Sequence, residues 1–578
     1  MALLLLTPLA FYPGLLSGQL PLLHPWESGY AEFLRAETVS QVLSGQAPLW
    51  SSAHLAGVPV VEDPRSALGS PQSWLTWLLG VTLARGASAW LFTALAGLGT
   101  LLWGRCSGVA PGAALVAAVL AQANPGLHLG LIDGTAATFW LLPWCLFALE
   151  RGWKRGGPWL SLVLAAALCG GDLVLGAWTL AMLVAYWLRR GAKAGILLSI
   201  LGGVLLSAPL TLPALAAWVS GEGVVTQVWP AGLYGLGGIV LALGAALAWP
   251  SGTGRRWLGG GALALGLAVV PLLLGAGHVL GALMPLALWM LAVACGFAVH
   301  HWVPERGQAG VGAAALFFGV LCCGPLRALG EPTTLELEAM PAGRTLGLEA
   351  VPLMHAELRG APLWPTLQAQ RFGAMLDPDA HSPLWVGSIN AQNRKVLEFA
   401  GANSVVAQGA LFGLAPVGPT GDAPALSVYA LDGGPRAWVT PGARSAANER
   451  EALDFLRTGY AFREAPAVQD LERRLPTEGV ITPLEIDDSG AELRIAIPAG
   501  TASGILVVAD RWEPQWQVQV DGQDAEILQV GGLFRGVMLP TGAEEVVFEY
   551  RLWTWGWGLG LGAMGLLLSL GMALRRPE

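Results

Sequence analysis

The chain has 578 residues, of which 54% are hydrophobic and only 12% charged, with a mean hydropathy of +0.55 and a formal net charge of −8. A soluble domain carries about 25% charged residues, so most of this chain is expected in lipid, and its acidic balance leaves no basic footprint for nucleic acid. The six cysteines (Cys106, Cys145, Cys169, Cys295, Cys322, Cys323) all fall in or beside apolar segments, which excludes a disulfide framework and shows no zinc spacing; Cys322-Cys323 reads as packing rather than a redox pair.

The N-terminal run MALLLLTPLAFYPGLLSG lacks a basic n-region and an A-x-A site, so it reads as a retained anchor rather than a cleaved signal. A helix needs about 20 apolar residues to cross the hydrocarbon. Runs of that kind lie at 2–22, 86–104, 108–124, 134–150, 157–171, 173–189, 194–213, 226–249, 257–275, 279–301, 310–328 and 552–574. The chain is therefore expected to be a polytopic α-helical membrane protein of about twelve spans. Residues 72–84 are too short to span alone and read as an interfacial or re-entrant helix, with Trp74 and Trp77 at headgroup level. With the N-terminus inside, Arg105, Arg151-Lys154-Arg155, Arg189-Arg190-Lys193, Arg255-Arg256, Arg306 and Arg575-Arg576 fall on the cytoplasmic side. Both termini are then cytoplasmic, and the loops 24–71 and 329–551 lie outside.

Loop 24–71 gathers ionisable side chains: Glu27, Glu32, Arg35, Glu37, His54, Glu62, Asp63 and Arg65. One reading is a wet surface loop; the other is a site for chemistry. Glu32 and Glu37 share a helical rhythm with Phe33, Leu34 and Val39, as on an amphipathic helix lying on the membrane. Further polar groups, Asp133, Asp172 and His278, sit at the outer ends of spans rather than within them. A transporter places ionisable residues at mid-membrane. The expected site is thus at the outer membrane surface.

The region from 329 to 551 is polar. Residues 329–480 mix strand-like runs with two helical segments, NAQNRKVLEFAGA and NEREALDFLRTGY, and read as an α/β unit. Residues 481–551 read as an all-β, sandwich-like domain, with alternation at Leu493, Ile495 and Ile497 and at Trp516, Val518 and Val520. Asp521-Gly522 is the strongest hairpin signal in the chain. The organisation expected is a multi-span domain 1–328, the two outer regions, and a final span with a short tail, 552–578. No triad, metal spacing or phosphate loop appears in the outer region, which reads as a binding or shielding module.

The run from Ile505 to Arg551 resembles the end of YfhO-type bacterial membrane proteins, in Asp510, Trp516, Asp521-Gly522, Phe534-Arg535-Gly536, Pro540, Gly542 and Tyr550. The first loop, LSGQAPLWSSAHLAGVP, is similar to that family's Gly-x-x-Pro-Leu-Trp followed by Gly-x-Pro; segments around His128, Trp140, Pro143 and Asp172 are similar as well. The chain differs in carrying Glu27 where the family has Asp, Pro514-Gln515-Trp516 for Pro-Gly-Trp, and GAGHVLGALMP, without Arg, before a late span.

The resemblance implies a GT-C glycosyltransferase fold in a bacterial cytoplasmic membrane. It further implies transfer of a sugar from a polyprenyl-phosphate carrier to an envelope polymer or glycan. Such transfer needs a base for the acceptor's proton and positive charge for the leaving phosphate. Glu27, just past the first span, is the candidate base. Asp63, with Glu62, is the candidate holder of a divalent cation (Mg or Mn) or orienter of the acceptor; the alternative is a surface pair between Glu62 and Arg65. Arg65, Arg35 and Arg85 are candidates for the donor phosphate, and His54, His128 and Asp172 for substrate contacts. Trp50 and Trp26 are placed either to stack on a sugar or to anchor at the interface. A lipid-linked flippase or transporter and a non-catalytic envelope scaffold are the alternative functions.

Overall fold

A computed structural model of the chain describes residues 2–11, 20–21, 34–35, 38–52, 57–63, 66, 68–124, 127–128, 137–152, 157–170, 173–219, 245–247, 250–273, 283–322, 329–330, 344–347, 391–408, 416–419, 426–458, 462–471, 475–476 and 480–574. The chain divides into two compact units. The first comprises Met1–Val39, Glu62–Pro332 and Thr554–Glu578; the second comprises Ser40–Val61 and Thr333–Trp553.

The first unit is helical: α1 (Ala2–Phe11), α2 (Pro71–Cys106), α3 (Pro111–Gln122), α4 (Ala137–Arg151), α5 (Pro158–Leu168), α6 (Leu173–Arg189), α7 (Ala194–Val219), α8 (Gly252–Leu273), α9 (Leu283–Trp302) and α10 (Glu305–Cys322). A two-residue bridge pairs β1 (Leu20–Pro21) with β4 (Leu329–Gly330). Among the described residues, three helical stretches are long and apolar enough to cross a membrane: Gly86–Cys106, Ala194–Ala217 and Trp553–Leu574. Of the first run expected to span, 2–22, the described residues are the helix Ala2–Phe11 and the strand Leu20–Pro21; the run 226–249 lies mostly outside the described residues.

Residues 72–84 are not a separate interfacial helix. They form the first part of the continuous 36-residue α2, because no proline interrupts the run from Gln72 to Arg105 and its isolated glycines do not end a helix. At 1.5 Å per residue α2 is about 54 Å long, well beyond the ~30 Å hydrocarbon, and its exposed Trp74 and Trp77 lie in that leading part. The core behind it is aromatic. Phe92 stacks on Trp140 at 4.8 Å, and Trp103, Trp257 and Trp289 pack edge to face or tilted at 5.1–5.7 Å. The Trp289 indole N–H donates to Thr100 Oγ1 at 3.1 Å, the partner a buried indole requires.

The second unit is built on sheets. Its pieces are β2 (Trp50–Ser51), β3 (Val58–Pro59), β5 (Arg344–Gly347), α11 (Ala391–Phe399), β6 (Ala402–Gln408), β7 (Pro416–Pro419), β8 (Leu426–Ala430), β9 (Ala437–Thr440), β10 (Arg444–Ala446), α12 (Glu449–Thr458), β11 (Ala467–Gln469), β12 (Thr482–Leu484), β13 (Asp487–Asp488), β14 (Glu492–Ala496), β15 (Gly504–Arg511), β16 (Trp516–Val520), β17 (Gln523–Ala525), β18 (Ile527–Val530), β19 (Phe534–Leu539) and β20 (Glu545–Tyr550). A four-stranded sheet runs β5-β6-β8-β7; a seven-stranded sheet runs β10-β11-β18-β19-β15-β9-β12; a five-stranded sheet runs β13-β14-β20-β16-β17.

The seven-stranded sheet draws strands from both sides of residue 480, so the α/β and β regions read from the sequence share one layer. β15 lies inside it, between β19 and β9, and every residue from Gly504 to Arg511 is buried, as expected of a strand covered on both faces. β14, β16 and β20 instead bury alternate residues, Leu493, Ile495, Trp516, Val518, Val546 and Phe548 among them. The hairpin between β16 and β17 turns on Asp521 and Gly522, both at positive φ (50° and 76°), the geometry for which Asp-Gly is selected. The chain then re-enters the first unit in α13 (Trp553–Leu574).

Glycines set how α13 packs. A Cβ on Gly558 would meet the Ala208 carbonyl at 2.8 Å, one on Gly562 would meet Pro209 at 2.7 Å, and one on Gly565 would meet the Leu206 nitrogen at 2.5 Å. These three lie on one helical face, and they let the backbone of α13 approach that of α7 as only small residues permit.

Candidate functional site

In the first unit, the candidate acids Glu62 and Asp63 lie on one turn. The Asp63 carbonyl accepts from the Ser66 amide at 3.0 Å, and Ser73 Oγ donates to the Ser66 carbonyl at 3.3 Å. Ser70 caps α2, accepting from the Ser73 amide at 3.4 Å, with Pro71 at the first helical position. Gly69 abuts Leu210 of α7 and Cys169 at the end of α5; a Cβ there would stand 2.8 Å and 3.1 Å from their side chains. The turn is thus fastened to the N-terminus of α2 and wedged against α5 and α7. Both carboxylates are buried, Asp63 to 3% exposure; Arg65, the alternative partner of Glu62, lies outside the described residues.

Arg35 is also buried, as are its neighbours Leu34 and Thr38. This helical turn therefore does not present a simple wet face at Arg35. His128 is buried just beyond α3, where its amide bonds the Asn124 carbonyl and its ring meets Phe11 edge-on at 5.3 Å. Burial pushes the imidazole down to about 4, against a hydrogen bond to the main chain of Gln122, so it is neutral at physiological pH. Glu27, Arg65, His54 and Asp172 lie outside the described residues, as do Asp133, His278, Trp26, Glu32 and Glu37. Among the described residues no group of three or more His, Cys, Asp or Glu is arranged to hold a metal ion.

Trp50 is placed otherwise than a sugar-stacking or interfacial residue would be. It is fully buried in the second unit. Its indole meets Trp516 at 5.1 Å and Tyr550 at 5.0 Å, and the guanidinium of Arg535 lies 5.6 Å from its ring and 3.7 Å from that of Trp516. Gln41 Nε2 donates to the Trp50 carbonyl at 2.9 Å. Behind Arg535 stands an ionic network. Asp510 accepts from Arg535 Nη2 at 3.0 Å and from Arg436 Nε and Nη2 at 3.0 and 2.7 Å, and Arg436 reaches Asp488 at 2.7 Å. Asp488 in turn accepts from Ser52 Oγ at 2.5 Å. Burial would lower the Arg436 guanidinium, but the two aspartates outweigh it and hold the group above the ordinary arginine range.

Residues at both ends of the chain thus meet in one place, a relation that local sequence could not display. Sequence reading also missed Gln122. It is buried in α3 and donates to the carbonyls of Leu4 at 2.9 Å and Thr93 at 3.1 Å, tying α1 and α2 to α3. The signal was present: one amide in the apolar run PGAALVAAVLAQ. The ion pair Arg511–Glu513, buried at 2.9 Å, was flagged only by charges closing the apolar strand ILVVADRWE.

No family model matches the chain, and no curated protein matches it. Among solved structures, the arabinofuranosyltransferase AftD from Mycobacteria is similar over 95% of this chain, with 15% identity and a TM-score of 0.50. A second structure, of an AftD mutant, is similar over 95% of the chain at 15% identity and a TM-score of 0.49. The chain spans 57% of the length of the first. At this identity the likeness speaks for the fold alone and not for the YfhO-type family: the chain shares the fold of the AftD structure, and three of its described helices are long and apolar enough to cross a membrane.

Proposed function

We propose that the protein is a GT-C-type glycosyltransferase that moves a sugar from a polyprenyl-phosphate donor to a cell-envelope polymer or glycan on the outer face of a bacterial cytoplasmic membrane. The observation that carries this reading is the fold likeness to AftD over nearly the whole chain. The buried carboxylate turn at Glu62 and Asp63 supports it. The positive-inside pattern supports about twelve spans, cytoplasmic termini and an external second unit.

In the proposed reaction the acceptor oxygen attacks the anomeric carbon, the bond from that carbon to the phosphate oxygen breaks, and the acceptor proton passes to a carboxylate. Glu27 is the proposed base, and Asp63 orients the acceptor hydroxyl. Arg35 and Arg65 are proposed to face the leaving phosphate, whose charge grows as the bond breaks; His54, His128 and Asp172 complete the residues proposed around substrate. Glu62 and Asp63 are the pair that would hold a divalent cation. Two carboxylates fall short of a dedicated ligand set, so no step is routed through a metal.

The test is sugar transfer in membranes supplied with polyprenyl-phosphate-linked sugars. Glu27→Gln and Asp63→Asn are expected to lose about 10²–10⁴-fold in turnover, the usual span of general acid–base catalysis. Full turnover in both variants would overturn the assignment.

A further inference from the structure

We propose that the converging ends of α2, α4, α6 and α8 form a site for the phosphate of an anionic membrane lipid, centred on Arg189 and Arg256. The inference concerns the helical unit alone and stands whether or not the protein transfers a sugar.

Three aromatic residues bring these ends together. Trp103 in the last turn of α2, Tyr186 in the last turn of α6 and Trp257 near the start of α8 pack in one cluster, with ring centroids 5.1–6.5 Å apart. Glu150, at the end of α4, joins them. Tyr186 donates its hydroxyl to Glu150 Oε1, and Arg190 Nη2 donates to Oε2 at 2.5 Å.

Cations crowd the same ends. Arg105, Arg151, Arg189, Arg255 and Arg256 are exposed there, and Arg190 and Lys193 lie in the turn that leads to α7. Against them, Glu150 is the one carboxylate among the described residues of the four helices, and it is already bonded to Tyr186 and Arg190. Arg189 and Arg256 lie close enough to feel each other's like charge. Cations at this density repel one another unless an anion lies among them. The backbone that carries them is fixed. The Ala192 amide bonds the Trp187 carbonyl at 3.1 Å, and the Trp187 indole donates to the Lys193 carbonyl at 2.8 Å.

The level of the patch identifies the source of the anion. Two of the membrane-length stretches end here, Gly86–Cys106 with its last residues and Ala194–Ala217 with its first. The third, Trp553–Leu574, finishes on the same side, where Met572 meets Ser199 of α7 at 3.5 Å. Lipid phosphates lie at the ends of such helices, and the basic clusters assign this side to the cytoplasm. One turn into α7, Leu197 and Leu201 are exposed, a track for acyl chains. A phosphate carrying two chains matches both the cations and the apolar track, whereas a soluble phosphate matches only the cations. Guanidinium groups bind phosphate oxygens through paired N–H donors, which suits Arg189 and Arg256 to the task.

The experiment titrates full-length protein in neutral detergent with phosphatidylglycerol and counts bound lipid by native mass spectrometry. Phosphatidylcholine, with tails but no net charge, and glycerol 3-phosphate, with the phosphate but no tails, are titrated in parallel. Phosphatidylglycerol is expected to bind most tightly of the three. Arg189→Gln and Arg256→Gln are each expected to weaken it about fivefold, and together about 30-fold, the effect of removing one and two basic residues at a membrane surface. Arg256→Lys, which keeps the charge, should lose less than Arg256→Gln. Arg494→Gln, at an exposed arginine of the second unit, should bind as the native chain does. The two single variants carry the comparison if the double variant does not fold. Equally tight phosphatidylcholine, or losses in Arg494→Gln matching those in the Arg189 and Arg256 variants, overturns the inference. Glycerol 3-phosphate binding as tightly as the lipid overturns it too, and marks a site for soluble phosphates instead.

Discussion

Gly57 has no side chain because Trp50 occupies the space where one would be. The indole approaches the position of a Gly57 Cβ to 2.7 Å at Cε2, and the backbone there has φ +110°, a conformation only glycine adopts without strain. Gly57→Val is expected to destabilise the second unit by about 2–4 kcal/mol, combining left-handed strain with overpacking. Thermal unfolding of the detergent-solubilised protein, followed by tryptophan fluorescence, checks this.

Asp510 is the buried anion on which Arg436 and Arg535 converge. Removing one member of a buried ionic group leaves its partners uncompensated, at a cost of about 3–5 kcal/mol. Asp510→Ala is expected to show that loss in the same unfolding assay. Arg494→Ala, at an exposed pair with Glu492, should leave the unfolding transition where it is, because solvent screens such a pair.

The turn residue Asp521 accepts the amides of Glu544 and Glu545, both at 2.9 Å, and these bonds hold its carboxyl below the ordinary value of 3.8. A lowered folded pKa means that this carboxylate stabilises the fold above pH 3.8 and that the contribution is lost as pH falls through the folded value. Asp521→Asn, which still tolerates positive φ, should therefore give a flatter melting temperature between neutral pH and strong acid than the native chain. A parallel acid limb in both proteins would contradict this.

The face of α13 predicts an asymmetry between neighbouring glycines. Gly562 lies against Pro209, whereas Gly560 faces open space. Gly562→Leu is expected to separate α13 from α7 and lower yield and melting temperature in detergent, because the approach depends on a missing side chain. Gly560→Leu should leave both unchanged.

Much of this protein was legible in local sequence. Apolar runs became helices at α4 to α9 because a buried segment without polar side chains must satisfy its backbone groups with one another. Leu493, Ile495 and Ile497, and Trp516, Val518 and Val520, went to buried faces because a strand alternates by construction. Asp521-Gly522 turned because its backbone preferences are its own.

Tertiary structure alone decided where the shared segments meet. Nothing local in LSGQAPLWSSAHLAGVP says that Trp50 belongs among Trp516, Arg535 and Tyr550, nearly five hundred residues on. Nor does composition around residue 480 reveal that one sheet uses strands from both sides. Local propensity is set by a residue and its near neighbours, whereas the choice of burial partner is a free-energy comparison among all surfaces the folded chain can offer. That comparison took Trp50 out of the membrane-proximal loop and into the sheet core, and left Asp63 buried where the chain returns to the helices.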